Sequence, residues 1–475
     1  MSDLTELCDF PHASRQDWER RVLAALKGTS HQALRSRTAD GISIEPLYEP
    51  STQHAIPGRS AGAPWIVVQR MDHPEPGEAR GIAGTDVENG ATGLALTFKG
   101  AAPARGFGLR DASARTIGLA LKDLPLHMLR LRLEAGEKAI DAAEALREVI
   151  LARSFNPERM RVSFGIDPIG AMASRGRLDE PLDALMRRMG SITPSLARDF
   201  AGPYVEADGR VYHDGGGSEA QELGASLATA VAYLRLFESK LEDAAAARAT
   251  GMTLSADADI FANLAKFRAA RLLWHHVSTS CGLPNSPLLL HGETSWRIMT
   301  AADPHGNLLR NVAAAIAAGA GGADSVCCLP FSVAQGLPND FARRMARNIQ
   351  IILLEEANVH HVGDPSAGSG FVEALTHALC ERAWAFFQEI EGRGGIIQAL
   401  KSGFIQEELK KTRERRDLEI REGRRHIVGV TAYEPASAAP ASVLDVAPEE
   451  PALGESIAAI PARRDAEEFE RRKVA

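Results

Sequence analysis

The sequence predicts an α/β chain whose main body is a (β/α)8 barrel. Two observations carry this. Eight short apolar runs alternate with longer amphipathic runs through the middle of the chain, the pattern of parallel βα units. The span they occupy, roughly 340 residues, suits eight such units with insertions. An open doubly wound sheet shares the same local alternation, and the strand count favours the barrel.

The elements follow in order. The first 45 residues hold one amphipathic segment, 17–34, opening after Ser14 as N-cap. The candidate strands are 93–98, 128–133, 161–166, 210–213, 252–255, 288–291, 325–329 and 360–363. The clearest helix is 371–392, where Val372, Leu375, Leu379, Ala383, Phe386 and Ile390 form one stripe and Gly394 and Gly395 mark the end. An Ala-rich helix over 307–318 stops at glycines, and 338–358 is again helical. The run 407–426 alternates charge sign, as an exposed helix laced with ion pairs does. Residues 434–475 are rich in Ala, Pro and acidic residues, a composition that reads as a linker or disordered tail.

Composition narrows the class. The chain has 475 residues, a net charge of −8, 45% hydrophobic and 24% charged residues, which is ordinary for a globular protein. Mild acidity argues against nucleic acid as partner. Cys8, Cys281, Cys327, Cys328 and Cys380 are few and scattered, so a reducing, cytoplasmic setting is expected rather than a disulfide scaffold. There is no secretory h-region and no apolar run of ~18 residues, so no membrane span is expected.

The chemistry-bearing residues are sparse. No phosphate-loop motif exists. Gly215, Gly216 and Gly217 form a turn that either cradles an anion or is a simple barrel loop, the second being favoured. The pairs His275–His276 and His360–His361 read as packing or surface residues, with no metal expected. Tyr212–His213 end the fourth candidate strand, where barrels place chemistry, although residue type alone favours packing. Glu355–Glu356 close an apolar helix, and Asp364 reads as a helix cap.

Together these segments resemble the methylmalonyl-CoA mutase family. FPHASRQDWERRVLAALKG and TADGISIEPLYEP look like the opening of its small (β) subunits. APWIVVQR resembles the PW…Q segment before the barrel, and VYHDGGGSEAQELGASLATAVAYLR the fourth strand and helix with the family's Tyr-His pair. TSW, the long run from GLPNDFARRM to ALCERAW, and HIVGVTAY follow in family order.

The resemblance implies an arm for subunit contact at 1–45, a barrel domain at 46–433 and a linker or tail at 434–475, with the flavodoxin-like cobalamin domain absent. It implies a heterodimer with a homologous large subunit that isomerises methylmalonyl-CoA and succinyl-CoA, adenosylcobalamin serving the complex rather than this chain. Tyr212, His213 and Glu356 match family positions near substrate or cofactor.

Four positions depart from the family's pattern: Arg70 for a tyrosine, Lys99 for an aspartate, Glu293 for an arginine and Cys327 for a histidine. No D-x-H-x-x-G cobalt-ligand motif is found, since Asp303-Pro-His305 continues without the glycine. The resemblance therefore implies a supporting small subunit, itself inactive. The alternatives are an active acyl-CoA mutase barrel using a separate cobalamin subunit, and a structural partner in cofactor loading.

Overall fold

The computed structural model describes residues 14–52, 56–58, 62–284, 287–435, 439–449, 452–454 and 456–474. Its centre is an eight-stranded parallel barrel. The strands are β3 (Ile66–Met71), β4 (Gly93–Thr97), β5 (Arg130–Glu134), β6 (Arg161–Ser163), β7 (Val205–Asp208), β8 (Thr250–Ala256), β9 (Leu289–Thr294) and β10 (Ser325–Cys327). They pair in the order β6-β5-β4-β3-β10-β9-β8-β7, and a parallel bridge between Ile166 and Val205 closes the ring. Closure removes the exposed edges that an open sheet would leave. Ahead of the barrel, β1 (Ser36–Arg37) and β2 (Ser43–Ile44) form a small antiparallel ribbon.

Six of the eight expected strands are present. The other two expectations are corrected. Residues 360–363 form turns, and the eighth strand is β3, a segment read from the sequence as preceding the barrel. Residues 210–213 belong to the short helix α7 (Arg210–Asp214), and the strand lies just before it at β7. The two misreadings have different causes. β7 carries Glu206 and Asp208 and so does not look apolar, whereas β3, IVVQRM, is mostly apolar and was read as lying ahead of the barrel.

The helices are capped where the sequence puts Ser, Asn or Asp. Ser14 and Asp17 form a capping box on α1 (Arg15–Ala25), none of whose residues is buried. The 17–34 segment is thus shorter than expected, with a separate 3-10 turn at His31–Leu34. Ser218 and Gln221 cap α8 (Glu219–Phe237), and Asp259 caps α10 (Ile260–Ser280). Next come α11 (Gly306–Gly321), α12 (Asp340–Glu355), α13 (Gly370–Gly392) and α15 (Phe404–Arg421). The α13 stripe faces the body of the protein as expected, with Val372, Leu375, Leu379, Ala383 and Ile390 buried. Asp364 is not a helix cap: together with Glu373 it clamps the buried Arg268, at 3.0 and 2.8 Å. Among the described residues no helix is long and apolar enough to cross a membrane.

The described part of 434–475 is ordered against the barrel rather than loose. It crosses the loops at the C-terminal end of the strands and finishes in a last helix, α16 (Glu467–Val474).

Candidate functional site

In a strand, side chains alternate between faces, so every second residue of each barrel strand enters the lumen. Here several of those residues are charged. Arg70 enters from β3, Arg132 and Glu134 from β5, Glu206 and Asp208 from β7, and Glu293 from β9. Arg210, one residue beyond Gly209 at the end of β7, bends back over them.

They form one continuous ionic network. Arg70 Nη1 donates to Glu293 Oε2 at 3.2 Å and its Nε to Asp72 at 3.1 Å. Its Nη2 donates to the carbonyl of Pro103 at 2.6 Å. Arg210 Nη1 reaches both Glu134 and Glu293 at 2.9 Å. Arg132 donates to Thr253 Oγ1 at 2.5 Å and lies 3.5 Å from Glu206. Higher up, Arg105 holds Asp214 at 2.6 Å. These side chains are almost wholly buried.

Burying this much charge is costly unless every group is paired, and here the pairing is dense. Burial alone would raise the Glu134 pKa; Arg210, Arg70 and Arg132 outweigh it and hold the carboxyl below the usual range. The same competition leaves Glu293, with one more acid beside it, raised by burial. Burial pushes up the Cys327 thiol, and the nearby Glu293 adds to this.

The network spans the lumen between β3, β5, β7 and β9. The space left beside Arg132, Glu134, Asp208 and Arg210 is about 40 Å³, room for about one water molecule.

The residues singled out from the sequence fall into two groups. Arg70, Glu293 and Cys327 meet in the lumen, Cys327 packing with Val68 and Ala95. Lys99 lies outside it, exposed, and pairs with Glu449 of the chain's last segment. Tyr212 and His213 stand on α7, not on a strand, and both are buried away from solvent. The Tyr212 hydroxyl contacts Thr229 Oγ1 at 3.3 Å. His213 contacts Ser295 Oγ through Nε2 at 2.8 Å and Glu222 through Nδ1 at 3.2 Å.

The order Ser295–His213–Glu222 is that of a nucleophile relay, but its surroundings are structural. Lys266 Nζ holds the same Glu222 oxygen at 2.6 Å, and burial drives His213 well below its ordinary pKa. Ser295 Oγ also accepts the backbone N–H of Arg297. Glu356 is not brought to this site: it is exposed at the end of α12, which runs back toward the opposite pole of the barrel. The glycine turn is a loop and not an anion cradle, because the N–H groups of Gly215, Gly216 and Gly217 donate to the carbonyls of Val211, His213 and Tyr212, while their own carbonyls accept from Arg413 and Arg416. His275 is exposed, and His276 packs edge-on against Trp384. Among the described residues no group of His, Cys, Asp and Glu could hold a metal ion.

Sequence reasoning missed Glu134, Arg132, Arg210 and Asp208. The available signal was the strand RLRLE, in which Arg132 and Glu134 share one face with Arg130.

A family model for methylmalonyl-CoA mutase matches residues 31–472. The chain belongs to the methylmalonyl-CoA mutase family. Among its relatives in that family is the methylmalonyl-CoA mutase small subunit of Streptomyces virginiae, 35% identical over 476 residues, covering 92% of this chain and 74% of the relative. The small subunit of Propionibacterium freudenreichii subsp. shermanii is 30% identical, covering 90% and 69%. A methylmalonyl-CoA mutase of Cereibacter sphaeroides is 27% identical, covering 90% and 65%. Within this mutase family fold, the present barrel has a lumen closed by ion pairs.

Proposed function

We propose that this chain is the small subunit of an adenosylcobalamin-dependent methylmalonyl-CoA mutase, inactive alone and supporting a homologous large subunit. One observation carries the reading. Arg70 and Glu293 stand where the family resemblance puts a substrate-side tyrosine and arginine, and in this chain they bind each other in the lumen. A thioester substrate needs open space and unspent donors there; it would have to break a buried ionic network to enter. Tyr212 and His213, the family-matching residues nearest the site, are committed to Thr229, Ser295 and Glu222.

The residues present do not fit adenosylcobalamin either. The barrel face that would receive a corrin is crossed by the chain's own residues 443–449 and 456–465, with Arg463 N–H bonded to Asp214 and Asp465 N–H bonded to Arg297. His305, in the nearest approach to a cobalt-ligand motif, stacks on Phe331 at 5.2 Å. No catalytic step is therefore assigned to this chain.

The partner is a homologous large subunit, and the setting is cytoplasmic. Exposed α1 and the barrel flank would bury ~2,000 Å² or more, as obligate interfaces do. The names of the small-subunit relatives support this. The test is co-purification with the large subunit, followed by turnover and cobalamin assays on each chain and on the pair. The reading expects turnover only where the large subunit is present, with at most one cobalamin per heterodimer. Turnover of an acyl-CoA by this chain with a separate cobalamin protein would overturn it.

A further inference from the structure

The ribbon of β1 and β2 is too small to hold itself. Each strand has two residues, and their side chains are mostly exposed. A lone two-stranded ribbon is marginal in water, so its attachment to the barrel is what keeps it in place. The barrel holds it by the turn between the strands. Ile42 is buried, and the Ala39 carbonyl accepts from Arg415 of α15. The Asp40 carboxylate accepts from the Ser218 hydroxyl and, at 3.3 Å, from the Ala220 N–H. Ser218 is the N-cap of α8, so Asp40 sits on the first turn of a 19-residue helix far along the chain.

The charges around Asp40 are unbalanced. From α8, Glu219 repels it. Arg297 lies 3.9 Å from that Glu219 rather than pairing with Asp40. From α10, Lys266 attracts Asp40, but its ammonium is bound to Glu222 at 2.6 Å. From α15, Arg415 is spent on the Ala39 carbonyl. Asp40 thus has two hydrogen-bond donors, a second acid beside it and, among the described residues, no cation of its own. Burial first, and Glu219 second, push its pKa up to about 6, against the pull of Ser218, Ala220 and Lys266.

We propose that Asp40 is a proton-operated clasp, seating the ribbon 36–44 on the first turn of α8 more tightly when its carboxyl is neutral than when it is a second anion beside Glu219. The sign follows from linkage. The seated carboxyl holds its proton more strongly than an exposed one, whose pKa is about 3.9. The added attachment is therefore complete below that lower value and is lost as pH rises through about 6. The chain leads from the ribbon back to the turn at His31–Leu34 and to α1, neither of which has a buried residue. The clasp thereby makes the tethering of α1 sensitive to pH. It belongs to the isolated chain and stands whether or not the small-subunit reading holds.

The test is hydrogen–deuterium exchange on the full-length chain at pH 5.5 and pH 7.5, each rate corrected for the intrinsic effect of pH and read on peptides covering 36–44 and 218–222. The wild type is expected to be about 4-fold better protected at pH 5.5 than at pH 7.5. Asp40→Asn keeps an oxygen to accept from Ser218 and Ala220 and carries no charge. It is expected to show the high protection at both pH values. This variant also leaves His31 in place, so a response of histidine origin would survive in it. Glu219→Gln keeps the clasp but removes the repelling acid, and is expected to shrink the response to less than about 2-fold. Equal wild-type protection at the two pH values overturns the proposal. So does a response that persists in full in either variant.

Discussion

Arg70 and Glu293 are 223 residues apart in the chain and 3.2 Å apart in the lumen. They enter on β3 and β9, the two neighbours of β10, which carries Cys327 between them. Three departures from the family pattern thus converge on one spot. Glu293 reverses a charge and Arg70 adds one; either alone would strand a buried ion, and together they neutralise each other.

The pair can be tested by a double-mutant cycle. Removing one partner leaves an uncompensated buried charge, at a cost of about 3–5 kcal/mol. Arg70→Met and Glu293→Leu are each expected to show that loss in urea unfolding. The double variant is expected to lose less than the sum of the two, with a coupling of about 1–3 kcal/mol. Strict additivity would mean the pair is not a unit.

Restoring a single family residue is expected to fail. Glu293→Arg would place a fourth guanidinium beside those of Arg70, Arg210 and Arg105. Like charges in a buried site repel strongly. The expected outcome is a markedly lower melting temperature or insoluble protein, with no gain of turnover.

Glu134 gives the acid limb of stability a definite sign. Its folded pKa lies below the ordinary carboxylate value. It therefore contributes stability at pH above its unfolded pKa, about 4.3, and that contribution is lost as pH falls through the folded value. Asp257, held down to about 2 against burial by Arg297 and Lys266, acts in the same direction. Wild-type stability should fall steeply from pH 5 toward pH 2. Glu134→Gln should be less stable at pH 7 and show a shallower acid slope in denaturant titrations at each pH.

Tyr212 and His213 should behave as structural residues. Tyr212→Phe removes one neutral hydroxyl contact and should cost about 0.5–1.5 kcal/mol. It should leave turnover of the assembled enzyme within about twofold. His213→Asn should destabilise through Glu222 and Ser295 without altering the pH–rate profile of the complex. A shifted pH–rate profile would make His213 a participant in the chemistry.

Much of this was legible in the sequence. Alternation gave the barrel and six of its strands, and the α13 stripe was read almost to the residue. Where the reading failed, the reasons differ. β7 looks unlike a strand because Glu206 and Asp208 sit on it, while β3, IVVQRM, has a strand-like apolar run that was assigned to the segment ahead of the barrel. Tyr212 was misplaced by the same error of one short segment. Arg70 and Glu293 each stood out as departures, but their pairing depends on strand order around the ring, which no local pattern encodes. The tail was read as loose from its composition. Its anchoring comes from backbone N–H groups and from glycines far away in the chain, neither of which composition reports.

The central claim, a barrel closed to substrate, is tested most directly by titrating the isolated chain with methylmalonyl-CoA and succinyl-CoA in a calorimeter, with the large subunit as positive control. The closed lumen predicts no saturable binding with Kd below ~1 mM. Stoichiometric binding with a Kd of ~10 μM or tighter, abolished by Glu293→Leu, would contradict it.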